Sequence, residues 1–586
     1  MSVASLFAND YDADGFRKCS VTGLDVHRSA ENMVKTFGLT AVVALLVGGL
    51  FAITVVTTRW EVIGLLPASE YYKHLSAHAW NLLIFWMVFM EVAILYVGGP
   101  MILGRRLPLP NLAKAAWGGM VVGALAINYS ILTTSGAPGD VSPLLTSYAP
   151  QQSPPLFYLA VVVFIVSTVV AAVPFFLTLW RERRENPGKT LPLVAFGAFI
   201  TSIIATEALV GGLITFGVTF LWRVDLIQWM DPAWYRHFYW TIGHGSQQIN
   251  LAAMITVWYF LTHVVGGAEI VSEKVSRSAF ILYLFFINLG AAHHLLSDPV
   301  VSSGWRIFNA SYAFYGAAFA SMIHAFAIPA GLEAGRRKRG KGGGLLGWLT
   351  SAPWTNPVFS ATIFSIILFG FLGGITGVIM GQLQVNMSWH NTYATVGHFH
   401  GTVAVGTSLA FMGLVFFVIR TMFRRRLAFP RLASLQPYLY AGAMGITVLM
   451  MMYIGLLYGV PRRIASVVQD IPGTEFNLSA AAPLFAILSI FALLAIVAGT
   501  IFVVVAVTSL LLGKPPKSMA ERTDIEPMGG VKADGGVEAD GGEASDPVHA
   551  YEMRGTFFFV LIFLAVFVVA WAANWFFLSR LWSIGI

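Results

Sequence analysis

Residues 389–402 read WHNTYATVGHFHGT, and the way His398 and His400 leave this stretch decides the architecture. Beyond it the chain stays apolar as far as Arg420, which predicts a membrane helix opening near residue 393. Two imidazoles separated by one residue on a helix diverge by about 200°. A single metal ion cannot easily take both, whereas two planar macrocycles, one on each side of the rod, can. A pair of hydrogen-bonded interfacial histidines would look the same in isolation, so the other histidines decide.

Composition identifies the solvent. The 586 residues are 57% hydrophobic and 11% charged, with a mean hydropathy of +0.72, the profile of a polytopic membrane protein in contact with lipid. Apolar windows long enough to cross a bilayer lie near 34–57, 78–104, 113–132, 156–180, 190–221, 233–263, 277–297, 305–333, 355–384, 393–422, 435–460, 480–513 and 554–580. They predict an all-α bundle of about thirteen transmembrane helices. Loops after the even-numbered spans hold the basic runs, among them Arg105–Arg106, Arg181 to Lys189, Arg336 to Lys341 and Arg424 to Arg426. Positive charge stays in the cytoplasm. The N-terminus is therefore expected inside, and the C-terminus outside, a prokaryotic plasma membrane. The net charge of +7 follows from these loops and does not point to nucleic acid.

Four parts are expected: a charged cytoplasmic segment at 1–33, a membrane core of twelve spans at 34–513, a linker at 514–553 and a peripheral last helix at 554–586. The first lacks the apolar run of a secretory signal. The linker, rich in Gly, Ala and acidic residues, cannot bury a core. Arg462 and Arg463 fall on the outer side against the charge rule, which calls for a specific partner.

The single cysteine, Cys19, excludes disulfides, CxxC sites, covalent c-type haem and a copper centre of paired thiolates. A redox metal must sit on histidine, and six of the thirteen histidines form a pattern. His78 opens span two in LSAHAWNLLIF, and His244 lies within span six in WTIGHGSQQIN. His293 and His294 end span seven in GAAHHLLSDP, and His398 and His400 open span ten. All six fall toward the outer half of the membrane. Ionisable groups there are costly and functional by default, and imidazole is the commonest metal ligand. His74, His237, His263 and His324 are read as structural.

GHGSQQ, AAHH, HNTYATVGHFH and VPRR, in this order and on these spans, resemble subunit I of the haem-copper oxidase superfamily, and are most similar to its B-type branch. The resemblance runs from about Tyr71 to Arg463. It implies His78 and His400 as axial ligands of a low-spin haem and His398 as proximal ligand of a high-spin haem, the haems being b- or a-type. It implies His244, His293 and His294 as ligands of a second metal, copper or non-haem iron. Arg462 and Arg463 would pair with haem propionates, which explains their outer position, with His390 and Asn391 close by. The implied partners are membrane lipid and a cupredoxin-like or cytochrome c-containing subunit II. The implied donor is cytochrome c, a blue copper protein or quinol.

The sequence departs from that family at an informative place. Oxygen-reducing members of two branches carry a tyrosine one turn after the span-six histidine; here it is Gln248. A third branch moves the tyrosine to span seven, where this chain has Ile287. Splitting O₂ draws four electrons from the site, more than a haem and one metal readily give. Coupling two NO molecules to N₂O takes two. The chain therefore resembles divergent nitric oxide reductases derived from oxygen reductases. The alternative is a B-type oxygen reductase rescued by another tyrosine, such as Tyr239 or Tyr283. Three neutral imidazoles suit copper better than iron, with Gln248 and Gln247 orienting a ligand from beside the metal. For protons, Tyr259 and Ser311 match members of the B-type pathway, while Phe314 replaces a threonine there. Thr256 and Tyr315 offer a detour, and Glu207 and Glu91 are intramembrane carboxylates. A transporter, or a haem protein that only passes electrons, is the rival from another class; the first predicts a colourless protein.

Overall fold

A computed structural model describes residues 4–134, 151–287, 291–299, 301–466, 478–514 and 553–581. Eleven helices among these residues are long and apolar enough to cross a membrane. In order, α1 is Arg28–Arg59, α2 Ala68–Met101, α3 Pro110–Thr133, α4 Pro155–Glu185, α5 Leu193–Arg223 and α6 Pro232–Gly266. The shorter α7, Glu273–Leu282, continues into a π-helical turn at Tyr283–Ile287 and then a 3₁₀ turn at Ala291–Leu295. Next come α8 Ser303–Lys338, α9 Pro357–Met380, α10 Tyr393–Thr421, α11 Pro430–Tyr458 and α12 Leu478–Leu512. The last helix, α13, is Arg554–Leu581.

The expected thirteen spans thus become eleven among the described residues. The seventh includes residues 288–290, which lie outside them, and α13 contributes a shorter apolar helix, Arg554–Ala570. The linker from 515 to 552 also lies outside them. One boundary moves for a physical reason. His78 does not open α2 but sits ten residues inside it, because the polar ASEYYKHLSA stretch is already helical and buries Tyr71, Ser76 and Ala77.

The helices that carry four of the six histidines are the innermost. The apolar windows of α2, α6 and α10 are 78%, 89% and 89% buried within the protein, against 22% for α8. Close backbone approach makes this possible where α10 crosses α11. A Cβ on Gly455 would lie 1.9 Å from the Ala394 nitrogen, so only glycine lets the two helices touch there. π-helical turns fall next to the histidines, at Trp80–Phe85, Tyr283–Ile287, Phe369–Gly374 and His400–Thr407. Such turns insert a residue into the ladder and rotate the side chains beyond it; they recur at functional sites.

Two peripheral pieces are tied on by charge. The hairpin of β1 (Phe16–Lys18) and β2 (Asp25–His27) pairs antiparallel. It docks through Arg17, which grips the buried Glu31 of α1 and the Thr421 carbonyl of α10. At the other end of the chain, buried Glu333 of α8 accepts from the Gly555 and Thr556 amides at 3.0 and 2.6 Å. A carboxylate at a helix N-terminus is the favourable sign for the macrodipole.

Gly455→Val should push α10 off α11, at an overpacking cost of about 1–3 kcal/mol. The expected outcome is a lower thermal midpoint in detergent together with reduced haem content, measured by absorbance on the purified protein.

Candidate metal centre

The triad comes from two segments. α6 starts cleanly: Asp231 caps it by accepting from the Ala233 amide at 2.9 Å, and Pro232 occupies the first turn. Twelve residues on, His244 is held close to α5, because Gly245 leaves room for Ala208. The 3₁₀ turn after α7 brings His293 and His294 to it. Ring centroids lie 4.3 Å apart for His244–His293, 5.0 Å for His244–His294 and 4.2 Å for His293–His294. Nδ1 of His244 and Nε2 of His294 are 3.0 Å apart, and one nitrogen from each of the three rings falls within 4.8 Å of the others. Metal–imidazole bonds of about 2.0–2.1 Å set ligand nitrogens about 3–3.5 Å apart, so the donor set fits one metal ion. Trp240, one turn before His244, stacks flat on His294 at 3.8 Å and 3° and fixes the plane of that ring.

His398, His78 and His400 share one chemical feature. The Thr376 hydroxyl gives its proton to the Leu372 carbonyl at 2.5 Å, so its oxygen accepts Nδ1–H from His398 at 3.0 Å. Carbonyls only accept, so Nδ1–H of His78 donates to Gly48 O at 3.2 Å, and Nδ1–H of His400 to Val396 O at 2.9 Å. Each ring is therefore the Nδ1–H tautomer with a lone pair left on Nε2, the state a metal requires. His78 and His400 line one cavity of about 370 Å³ between the helices, within the range of about 300–1,000 Å³ typical of cofactor pockets. These residues fit a bis-imidazole haem.

One end of that cavity is cationic. Arg462, Arg463 and Arg59 all line it. The Arg462 segment is fastened to the start of α10: its amide donates to Asn391 O at 2.8 Å, and the Tyr393 amide to Val460 O at 2.7 Å. Asn391 takes φ +61° to make this turn, a left-handed conformation that asparagine tolerates. Arg59 at the end of α1 donates to Tyr393 Oη at 2.5 Å, Arg462 O at 3.1 Å and Ile464 O at 3.0 Å. Beside them, burial and then the Arg236 and Arg462 cations hold the His390 imidazole below its ordinary value, against Asp298. His390 is therefore a neutral hydrogen-bonding group at pH 7. The cluster suits carboxylates on the cavity's occupant.

Of the remaining expected residues, Gln247 lines the cavity, while Gln248 is buried at 3% exposure. Thr256 is buried against Gly197 of α5 and bonds its own helix at Ala252 O. Ser311, Glu207 and Tyr315 are not brought to Tyr259. Ser311 gives its hydroxyl to the Ile307 carbonyl, Glu207 faces outward from the middle of α5, and Tyr315 is exposed and accepts from Gln382. Tyr259 instead meets Ser276 and His324. Sequence reading missed Arg59, Thr376, Trp240 and His324. Arg59 shares the signal of Arg462, a cation after an odd-numbered span where Lys and Arg are otherwise few, and His324 carried one too, an imidazole inside an apolar span.

Comparison with known proteins agrees with this geometry. Residues 32–494 match the family described as Cytochrome C and Quinol oxidase polypeptide I. The chain is 30% identical over 407 residues to cytochrome c oxidase subunit 1 of Thermus thermophilus, covering 68% of this chain and 70% of that one. It is 23% identical over 380 residues to a probable quinol oxidase subunit 1 of Staphylococcus haemolyticus, covering 61% of this chain and 53% of that one. A solved heme-copper terminal oxidase dimer shares the fold with a TM-score of 0.77 at 22% identity, over 94% of this chain and 92% of that chain. The fold and site define a membrane-embedded oxidoreductase subunit. The chain belongs to the haem-copper oxidase subunit I family, whose members carry a low-spin haem, a high-spin haem and a copper ion called CuB.

Thr376→Val keeps the volume but leaves His398 Nδ1–H without its acceptor. Loss of such a supporting hydrogen bond costs roughly 10–100-fold in metal affinity or activity. The expected outcome is a weakened iron–histidine stretch of the high-spin haem in resonance Raman spectra, with the low-spin bands unchanged.

Proposed function

We propose that this chain is the catalytic subunit of a nitric oxide reductase: 2 NO + 2 e⁻ + 2 H⁺ → N₂O + H₂O. The observation that carries the reading is Gln248, buried one turn after the triad's His244 where oxygen-reducing relatives hold a tyrosine. Among the described contacts, the other rings packed on the triad are Trp240 and Phe314, neither a phenol. The two rescue tyrosines are engaged elsewhere. Tyr283 bonds Ser321, and Tyr239 packs on Phe216, Tyr235 and Trp240 beside the low-spin cavity.

In this reading His78 and His400 hold the low-spin haem, His398 the high-spin haem, and His244, His293 and His294 a copper ion. The high-spin haem and the copper, when bound, supply one electron each and a place for the gas. The chain's own residues do the rest. Thr376 and the two carbonyls keep the axial imidazoles in their ligating tautomer. Trp240 keeps His294 in plane. Gln247 lies three residues after His244 and lines the cavity of His78 and His400, and the Gln248 amide carries both a donor and an acceptor. Arg59, Arg462, Arg463 and the neutral His390 hold haem carboxylates at the outer face. Electrons enter there from a subunit II partner carrying a cupredoxin or cytochrome c, or from quinol. Loop charge supports an N-terminus in the cytoplasm and a C-terminus outside.

With one reduced donor and equal enzyme, NO consumption should yield N₂O stoichiometrically, while O₂ consumption stays at least about tenfold slower, a barrier difference of ~1.4 kcal/mol or more. Fast, cyanide-sensitive O₂ reduction without N₂O would make the chain an oxygen reductase. Gln248→Tyr should lose NO activity and gain O₂ activity; no change in either would place Gln248 away from the metals.

His294→Ala should abolish turnover with both haem spectra intact. Metal analysis should show one copper per chain in the parent and none in the variant. Non-haem iron in that position would transfer the site to iron.

A further inference from the structure

The last helix, α13, meets the bundle along one side. Among its described residues Thr556 is buried, and Phe559, Phe563, Phe567 and Ala570 are half-buried. These positions recur every three or four residues, which places them in one stripe along the helix. The opposite stripe, Phe557, Leu561, Leu564 and Val568, is exposed. The start of the helix is fitted to its seat. A Cβ on Gly555 would run into the Trp348 indole nitrogen and the Leu345 carbonyl. Glu333, wholly buried, takes both first-turn amides and, at 2.8 Å, the Thr556 hydroxyl, while Arg337 balances its charge. In lipid an apolar helix gains little from burial alone, so a seat this specific decides where the helix lies.

What the stripe rests on leads to the metal centre. Phe563 packs edge-on against Phe371 of α9 and Phe326 of α8, with ring centroids 5.4 and 6.1 Å apart. Phe563 and Phe567 also join the cluster built on Ile375 and Ile379 of α9. Phe371 belongs to the π-helical turn Phe369–Gly374. The other side of that turn is pressed against α10: a Cβ on Gly373 would lie 2.8 Å from Thr402, and one on Gly401 2.7 Å from the Leu372 carbonyl. The turn is thus held between α10 and α13. Its Leu372 and Gly373 carbonyls face the Thr376 hydroxyl at 2.5 and 3.0 Å, and the Thr376 oxygen accepts Nδ1–H of His398. Contacts therefore run without a gap from α13 through the turn to the His398 ring. A π-turn holds one residue more than an α-turn. If it relaxed to regular helix, the residues beyond it would rotate by about 100°, and Thr376 would leave His398.

We propose that α13 positions the proximal ligand of the high-spin haem: Phe563 braces the π-helical turn of α9 and so keeps Thr376 on the Nδ1–H of His398. Phe563 is a positioning residue, acting on His398 through Phe371, the turn and Thr376. Glu333 fixes α13 along its own axis, so that Phe563 meets Phe371 and not the turn above or below. The proposal rests on His398 being the high-spin haem ligand, and not on which gas the chain reduces.

The test is resonance Raman spectroscopy of the full complex, purified and reduced. The iron–histidine stretch of the high-spin haem is the readout, and the low-spin bands are the internal control. Phe563→Ala should lower the stretch by at least about half of the shift that Thr376→Val produces, with low-spin bands and haem content unchanged. The double variant should shift no further than Thr376→Val alone, since both act through one hydrogen bond. Phe563→Leu, which keeps most of the volume, should recover the parent frequency. Phe557→Ala, on the exposed stripe of α13, should match the parent throughout. Should Phe563→Ala lose haem, Glu333→Gln carries the same expectations, since it keeps the side chain's shape but weakens its hold on the two amides. A parent-like stretch in whichever of the two retains haem would overturn the proposal. So would shifts that add in the double variant, or low-spin bands disturbed as much as the stretch, which would mark a general loosening of the bundle. Haem loss in both variants would overturn it too, as the sign of a folding role. A parent with no iron–histidine stretch overturns the assignment of His398 itself, and is told apart because the parent alone shows it.

Discussion

Everything in the interior depends on how a histidine nitrogen is satisfied where there is no bulk water. An imidazole has one N–H and one lone pair when neutral, and burial favours the neutral form. At His78, His400 and His398 the protein spends the N–H on Gly48 O, Val396 O and Thr376 Oγ1. The lone pair that remains is the functional atom. Helix placement follows from this requirement. Span one must pass close enough to α2 for a carbonyl at Gly48 to reach His78. Likewise α9 must bring Thr376 to α10, and Gly377 of the same turn must be bare, because a Cβ there would lie 2.9 Å from the His398 ring.

The histidine pattern was legible because its information is in residue type and position, which a linear chain displays. Helix class was legible for the same reason, since twenty apolar residues in a row have few other uses. Contact across elements was not legible. Thr376, Trp240 and Arg59 are ordinary residues until another helix arrives beside them. π-helical turns made this worse, because each shifts the register of the helix beyond it by one residue. Ser311 lies inside such a turn, at Asn309–Ala313, while the residue of α8 that meets Tyr259 is His324, more than three turns further on. His78 shows a different limit: hydropathy marks where a helix enters lipid, not where it begins.

Charges that run against the loop pattern prove informative once their partners are seen. Arg59 and Arg462 converge, with Arg59 donating to the Arg462 carbonyl. Two cations this close repel each other unless anions lie between or beside them, so the cluster is preorganised for a carboxylate-bearing occupant. The same contacts tie the ends of α1 and α10 to the loop after α11. Cofactor binding and helix assembly therefore stabilise one another, as expected when a ligand binds only the folded state.

One helix spans the site. α6 carries His244 and Gln248 in one half and Tyr259 four turns on, so the triad's first histidine and the Tyr259 hydroxyl share a single rigid rod. The arginine cluster lines the cavity of His78 and His400, and Ser276 of α7 meets Tyr259 at 3.0 Å. Under the nitric oxide reductase proposal, glutamine at 248 keeps a hydrogen-bonding group one turn from the triad's His244 without the electron that a phenol would supply, and a two-electron coupling does not call on that electron.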